Sequence, residues 1–133
     1  MESAEGYEQI TYKEFLDQFE TIAKENNKFV GIFMASTEEG TGKYWCPDCE
    51  VIRENLKDVL LPIVKEKNLK AIHVDYGSRA DWKSKDHPLR KNEAFQIVEI
   101  PTIAIFEKGR LVKALIEGEC FKAENIRELL NNF

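Results

Sequence analysis

Two cysteines, Cys46 and Cys49, lie three positions apart in the run Trp45-Cys46-Pro47-Asp48-Cys49, and the apolar residues Ile52, Leu56, Val59, Leu60, Ile63 and Val64 that follow recur at helical spacing. At the start of a helix such a pair has Cα atoms roughly 5 Å apart, within the range of about 4.4 to 6.8 Å that a disulfide tolerates. The pair can therefore open and close without moving the backbone. Cys46 falls at the N-cap, where its sulfur faces the free N–H groups of Asp48 and Cys49 and the positive end of the helix dipole, so the thiolate is favoured. Such a position brings a thiol pKa from about 8.5 to about 7 or below. Cys49, one turn further in, is expected to be more buried and more protonated. This asymmetry makes Cys46 the nucleophile that attacks a substrate disulfide and Cys49 the resolving thiol that releases the reduced product. Turnover then needs an outside electron donor. Pro47 fixes φ at the first helical position without removing a donor that faces Cys46. Asp48 suits a helix start, yet its charge opposes the lowering of the Cys46 pKa.

The same spacing could supply half of a zinc site, with His73 and His87 as the only histidines to complete it. One falls inside a predicted core strand and the other on a remote loop, whereas structural zinc sites gather their ligands from tight knuckles, so no metal is expected. Cys120 has no partner at useful spacing and reads as a small buried apolar residue, with a regulatory thiol as the alternative.

The elements that position the dithiol follow from hydrophobic pattern. Tyr7 to Ile10 suits a short strand, and Thr11 with Glu14 forms a capping box ahead of Phe15, Leu16, Phe19, Ile22 and Ala23, an amphipathic helix reaching about Asn26. The continuous apolar run Phe29 to Ala35 predicts a strand buried on both faces, and Ser36 to Tyr44 a loop. Pro62 is expected to kink or break the helix that starts at Pro47. Leu69 to Tyr76 reads as a second central strand. Gly77 to His87 is a polar connection longer than such units usually need, with Trp82 standing among Arg79, Lys83 and Lys85. Pro88 opens a short helix through Phe95. Thr102 to Glu107 and Arg110 to Ile116 form a hairpin across Lys108-Gly109, where Gly109 supplies the positive φ. Ile126, Leu129, Leu130 and Phe133 mark a closing helix. The order predicts one α/β domain spanning 1–133, with a central mixed sheet and helices on both faces.

Composition narrows the function classes. The 133 residues carry 19 Lys and Arg against 24 Asp and Glu, a formal charge of −5, so there is no basic run for phosphates and no nucleic-acid partner is expected. No stretch approaches about 18 consecutive apolar residues, and the acidic, polar start Met1 to Gly6 has no apolar leader core, so a membrane role is not expected. Three cysteines suit a reducing compartment better than a disulfide framework, which makes the cytoplasm the expected location.

WCPDC, followed some fifty residues later by Ile100-Pro101-Thr102, resembles the thioredoxin superfamily over nearly the whole chain. The inserted loop Glu38 to Lys43, WCPDC itself, Asp81-Trp82-Lys83 and Glu119-Cys120 are similar to the family of small thioredoxin-related reductases called thioredoxin domain-containing protein 17. The resemblance implies a thioredoxin-like fold, disulfide reductase activity with some peroxidase capacity, and no bound cofactor. It implies electrons from NADPH through thioredoxin reductase, a substrate range narrower than that of thioredoxin, and dynein light chain as a partner. It makes Pro47 and Asp48 tuners of redox potential. It implies a cis Pro101, which would expose the Ile100 backbone beside Cys46 for a substrate strand. Trp45, Ile100, Pro101 and Trp82 are the expected substrate groove. Apart from the resemblance, the length of the connection Gly77 to His87 and a tryptophan exposed within it predict a screen against bulky substrates beside Cys46, the alternative being a solvated, charge-rich excursion with Trp82 packed back on the domain. In one respect the chain departs from thioredoxin itself. The strand before the active-site helix has no buried acid, with Gly31 at about that place, so the proton acceptor for Cys49 is open among Asp48, Glu38 and Asp75. Two functional readings compete: a reductase acting on cystine or exposed protein disulfides, and a thioredoxin-fold module that holds a signalling partner. Glutathione-linked thiol transfer is a third, and no glutathione site can be identified in the sequence.

Overall fold

The computed structural model describes residues 6–133, and within them lies one five-stranded mixed sheet in the order β1-β3-β2-β4-β5. The strands are β1 (Tyr7–Thr11), β2 (Lys28–Met34), β3 (Lys70–Asp75), β4 (Thr102–Glu107) and β5 (Arg110–Ile116). The first three are mutually parallel, β3 lying between the other two, and β4 and β5 add antiparallel. The helices are α1 (Tyr12–Glu25), α2 (Pro47–Asn55), α3 (Leu61–Glu66), α4 (Arg79–Lys83), α5 (Pro88–Lys91) and α6 (Ala123–Asn131). No helix among the described residues is long and apolar enough to cross a membrane.

Local chemistry accounts for most of these boundaries. Thr11 caps α1 reciprocally with Glu14, so two otherwise free N–H groups are satisfied at once. Alternation along β2 sends Phe29 and Phe33 to one face. There they meet Phe15 and Phe19 of α1, with Phe95 and Phe106, in a cluster whose closest pair, Phe29 and Phe106, stacks at 4.7 Å. Gly31 lies between the two β2 rings. A Cβ there would come within 2.9 Å of both Phe33 and Phe106, so ring packing fills the place and leaves no room for an acid. Alternation turns Val30, Ile32 and Met34 to the opposite face, all fully buried.

Four expectations need correction. The helix after the dithiol is interrupted not at Pro62 but one turn earlier, by a π-helical turn over Leu56–Leu60 in which the Leu61 N–H reaches back to the Leu56 carbonyl. Widening that turn accommodates the proline, which clashes with the carbonyl four residues before it and then serves within the first turn of α3. The connection after β3 is not a plain loop: it carries α4, capped by Ser78 and Asp81 in a second capping box. The segment from Pro88 is helical only to Lys91, ending before Phe95. The closing helix stops at Asn131, with Phe133 beyond it. The hairpin turn places Lys108 as well as Gly109 at positive φ, the geometry of a two-residue turn with both central residues left-handed.

Candidate redox site

Cys46 is the N-cap of α2 and Cys49 sits one turn inside it. Cys46 exposes 9% of its surface and Cys49 none, so only the first can meet an external sulfur. Pro47 at the first turn removes no donor from the sulfur, and the Asp48 and Cys49 N–H groups favour the thiolate without capping the thiol. The Cys46 pKa is brought down to about 6, first by the Cys49 thiol donating to its sulfur and then by those two N–H groups, against burial and the Asp48 charge. Cys49 moves the opposite way, because its proton is held by Cys46 and because it is buried; the Ala35 N–H, 3.4 Å from its sulfur, pulls weakly downward. One proton shared between two sulfurs thus leaves a charged outer nucleophile and a neutral inner thiol.

The flanking residues are held by specific bonds. Trp45 is half-buried; its backbone N–H donates to the Ser36 carbonyl at 3.2 Å and its indole Nε1 to the Gly77 carbonyl at 2.9 Å. Its ring lies 5.9 Å from that of Trp82, which is half-buried rather than an exposed tryptophan on a polar loop. Arg90 Nη2 donates to the Trp82 carbonyl at 2.6 Å, fixing α4 against α5. Ile100 and Pro101 are buried and joined by a cis peptide bond, and the Glu117 N–H donates to the Pro101 carbonyl at 2.8 Å. Burial, then Glu99 and Asp48, raise the Glu117 carboxyl, which places acidic groups together on the Pro101 side of the site.

Three features were not singled out in the sequence. The segment Ser36 to Tyr44 folds as a small hairpin, with Thr37 bridging Tyr44. It is strapped to α2 by Arg53, whose Nη2 donates to the Gly42 carbonyl at 2.8 Å and whose guanidinium lies 4.5 Å over the Tyr44 ring. Glu50 completes the strap, accepting from the Tyr44 N–H at 2.9 Å and pairing with Arg53. Second, Arg79 lies 4.9 Å over the Trp45 ring. Ser78-x-x-Asp81, a capping-box pattern, was the signal that could have found its helix. Third, buried His73 pairs with the Tyr7 hydroxyl at 2.8 Å, and burial lowers its pKa to about 4.

Of the proton-acceptor candidates, Asp75 is engaged by the Ser36 hydroxyl at 2.7 Å and the Gly77 N–H at 2.9 Å. Glu38 is exposed within the small hairpin, whereas Asp48 raises the pKa of both cysteines by its charge. His87 caps α5 and stacks on Tyr76, and no group of three or more potential metal ligands occurs among the described residues. Cys120 is fully buried, its sulfur 3.4 Å from the Leu115 carbonyl, and burial pushes its thiol up to about 12.

A parallel β-core extended by an antiparallel hairpin, a cis proline before the hairpin and a helix-N-terminal dithiol define a thioredoxin-fold protein of general thioredoxin-type redox function. Thioredoxin from Nicotiana alata superposes with a TM-score of 0.63 at 14% identity over 99% of this chain and 95% of that one. Yeast mitochondrial thioredoxin 3 superposes with a TM-score of 0.60 at 15% identity over 96% and 95% of the two chains. More narrowly, the family model described as thioredoxin domain-containing protein 17-like, thioredoxin domain, matches residues 8–132, and the chain belongs to that family. It is 27% identical to human thioredoxin domain-containing protein 17 over 128 residues, covering 93% of this chain and 94% of that protein. It is 31% identical to the thioredoxin-like protein Clot of Arabidopsis thaliana over 84 residues, 60% of this chain and 61% of that one.

Proposed function

We propose that the chain is a cytoplasmic thiol–disulfide reductase cycling Cys46 and Cys49. The opposite displacement of the two thiols carries this reading: a charged sulfur at the surface beside a neutral one beneath it. The Cys46 thiolate attacks a substrate disulfide, forming one S–S bond and expelling the first product as a thiolate. Cys49 then loses its proton and attacks Cys46, forming the intramolecular disulfide and releasing the second product. Two electrons pass from the dithiol to the substrate, and NADPH, through thioredoxin reductase, restores them. The substrates are cystine or exposed protein disulfides, with Trp45, Ile100, Pro101 and Trp82 forming the groove. A peroxide takes the same two electrons, Cys46 being oxidised to a sulfenate that Cys49 converts to the disulfide with loss of water. Dynein light chain is proposed as a partner by family resemblance, and its test is co-purification with the Cys49→Ser variant.

The decisive assay follows NADPH consumption in the presence of thioredoxin reductase and a panel of disulfides from cystine to insulin. Dithiol cycling predicts consumption that depends on this chain and is abolished by Cys46→Ser. Consumption that survives Cys46→Ser would refute it.

A further inference from the structure

The structure places an exposed guanidinium on Trp45, the residue before the nucleophile, with no carboxylate paired to it among the described residues. Arg79 opens α4 directly after the Ser78 cap, and its guanidinium lies 4.9 Å over the Trp45 ring with Nη2 3.4 Å from the Trp45 carbonyl. That carbonyl is bonded to the Cys46 nitrogen, so the guanidinium is held within one residue of the attacking sulfur. Trp45 is itself held by the same segment through its indole bond to the Gly77 carbonyl, so the residues 77–79 contact both its ring and its backbone. Arg79 is exposed, and among the described residues no carboxylate lies within ion-pair distance of it, although the chain has five more acids than bases. Stacking leaves the edge of the guanidinium open, and the N–H groups other than the one donated to the Trp45 carbonyl can bind a planar carboxylate through two hydrogen bonds. The nearby acids, Asp48, Glu99 and Glu117, gather instead beside Pro101.

From this placement we infer that Arg79 is a specificity-determining residue that selects disulfides carrying a carboxylate next to the attacked sulfur. The inference rests on the reductase reading and adds to it the chemical class of substrate. Arg79 takes no part in electron transfer. It holds the substrate carboxylate so that the sulfur lies against Cys46, which raises the rate of the first attack.

The test uses the whole chain, reduced beforehand and mixed in single turnover with three kinds of disulfide, the rate being read from the summed fluorescence of Trp45 and Trp82 and checked by quantifying the released thiol. The first is a pair of peptide disulfides identical but for Asp or Asn beside the cysteine, the second is cystine, and the third is uncharged hydroxyethyl disulfide. Arg79→Gln is expected to lower the Asp-to-Asn rate ratio about fivefold, the scale of an exposed charge pair, and Arg79→Lys to retain only part of it, because lysine keeps the charge but not the stacked, two-bond geometry. Raised salt should lower the wild-type ratio and leave the Arg79→Gln ratio unmoved. A fall in the cystine-to-hydroxyethyl-disulfide ratio without a fall in the peptide ratio would also support carboxylate reading, with small molecules as its source. Equal losses on every substrate would reduce Arg79 to a prop for Trp45 and overturn the inference, as would unchanged ratios on both arms. A wild-type chain inert toward all three kinds of disulfide would instead overturn the reductase reading, which keeps the two failures apart.

Discussion

Replacing Cys49 separates the causes that lower the Cys46 pKa. The largest is the hydrogen bond donated by the Cys49 thiol, and Cys49→Ala deletes that donor while leaving the helix N-terminus intact. A hydrogen bond to a charged group contributes about 1.5–3 kcal/mol, and a thiol, being a weak donor, belongs at the lower end. At about 1.4 kcal/mol per unit this amounts to about one unit, so Cys46 in Cys49→Ala should titrate near 7 rather than about 6. Cys49→Ser restores an O–H donor and should return the midpoint to the wild-type value. The assay is ultraviolet thiolate absorbance against pH, and Cys120, held at about 12, stays silent through the window. Alkylation rate at one pH is a poor substitute. A thiol of higher pKa is less ionised but intrinsically more nucleophilic, and the two effects partly cancel. A Cys49→Ala midpoint equal to wild type would show that the helix terminus alone sets the pKa.

Asp48→Asn removes a charge that raises the Cys46 pKa, so the same titration should move further down; an unchanged or raised midpoint would count against that electrostatic role. His73 has a folded pKa of about 4 against 6.5, so its stabilising contribution is complete above 6.5 and is lost as pH falls toward 4. Between pH 7 and 5.5 it should cost about 1 kcal/mol, read as the part of the urea-midpoint change that His73→Gln abolishes. Gly31→Ala should destabilise by about 1–3 kcal/mol in urea unfolding, because its Cβ would press on the Phe33 and Phe106 rings; a neutral result would mean the cluster yields freely. Replacing Ser78 to Lys85 with a short flexible link should raise activity on insulin relative to hydroxyethyl disulfide, and equal effects on both would show that α4 does not screen by size.

The fold was legible wherever one strong local signal settled an element: the Thr11–Glu14 box, the apolar run of β2, the turn at Gly109. It was less legible where tertiary packing decided. Pro62 announced a disturbed helix, but the disturbance is absorbed a turn earlier because a π-helical turn can widen where the proline itself cannot bond. Trp82 could be placed near Trp45 by topology, but its half-burial could not be read, because nothing in the linear pattern shows how closely the segment packs on that ring. The dithiol and its asymmetry could be read directly, since i and i+3 spacing and the N-cap position are local facts. Arg79, the Arg53–Glu50 strap and the Tyr7–His73 pair could not, because each joins residues brought together only by the fold.

The most direct test of the dithiol mechanism maps the covalent products of one turnover by mass spectrometry after mixing the reduced chain with a protein disulfide. Attack by Cys46 and resolution by Cys49 predict a Cys46–Cys49 bridge in the wild type, a substrate adduct trapped on Cys46 in Cys49→Ser, and no adduct in Cys46→Ser. An adduct on Cys49 or Cys120, or continued substrate reduction by Cys46→Ser, would contradict it.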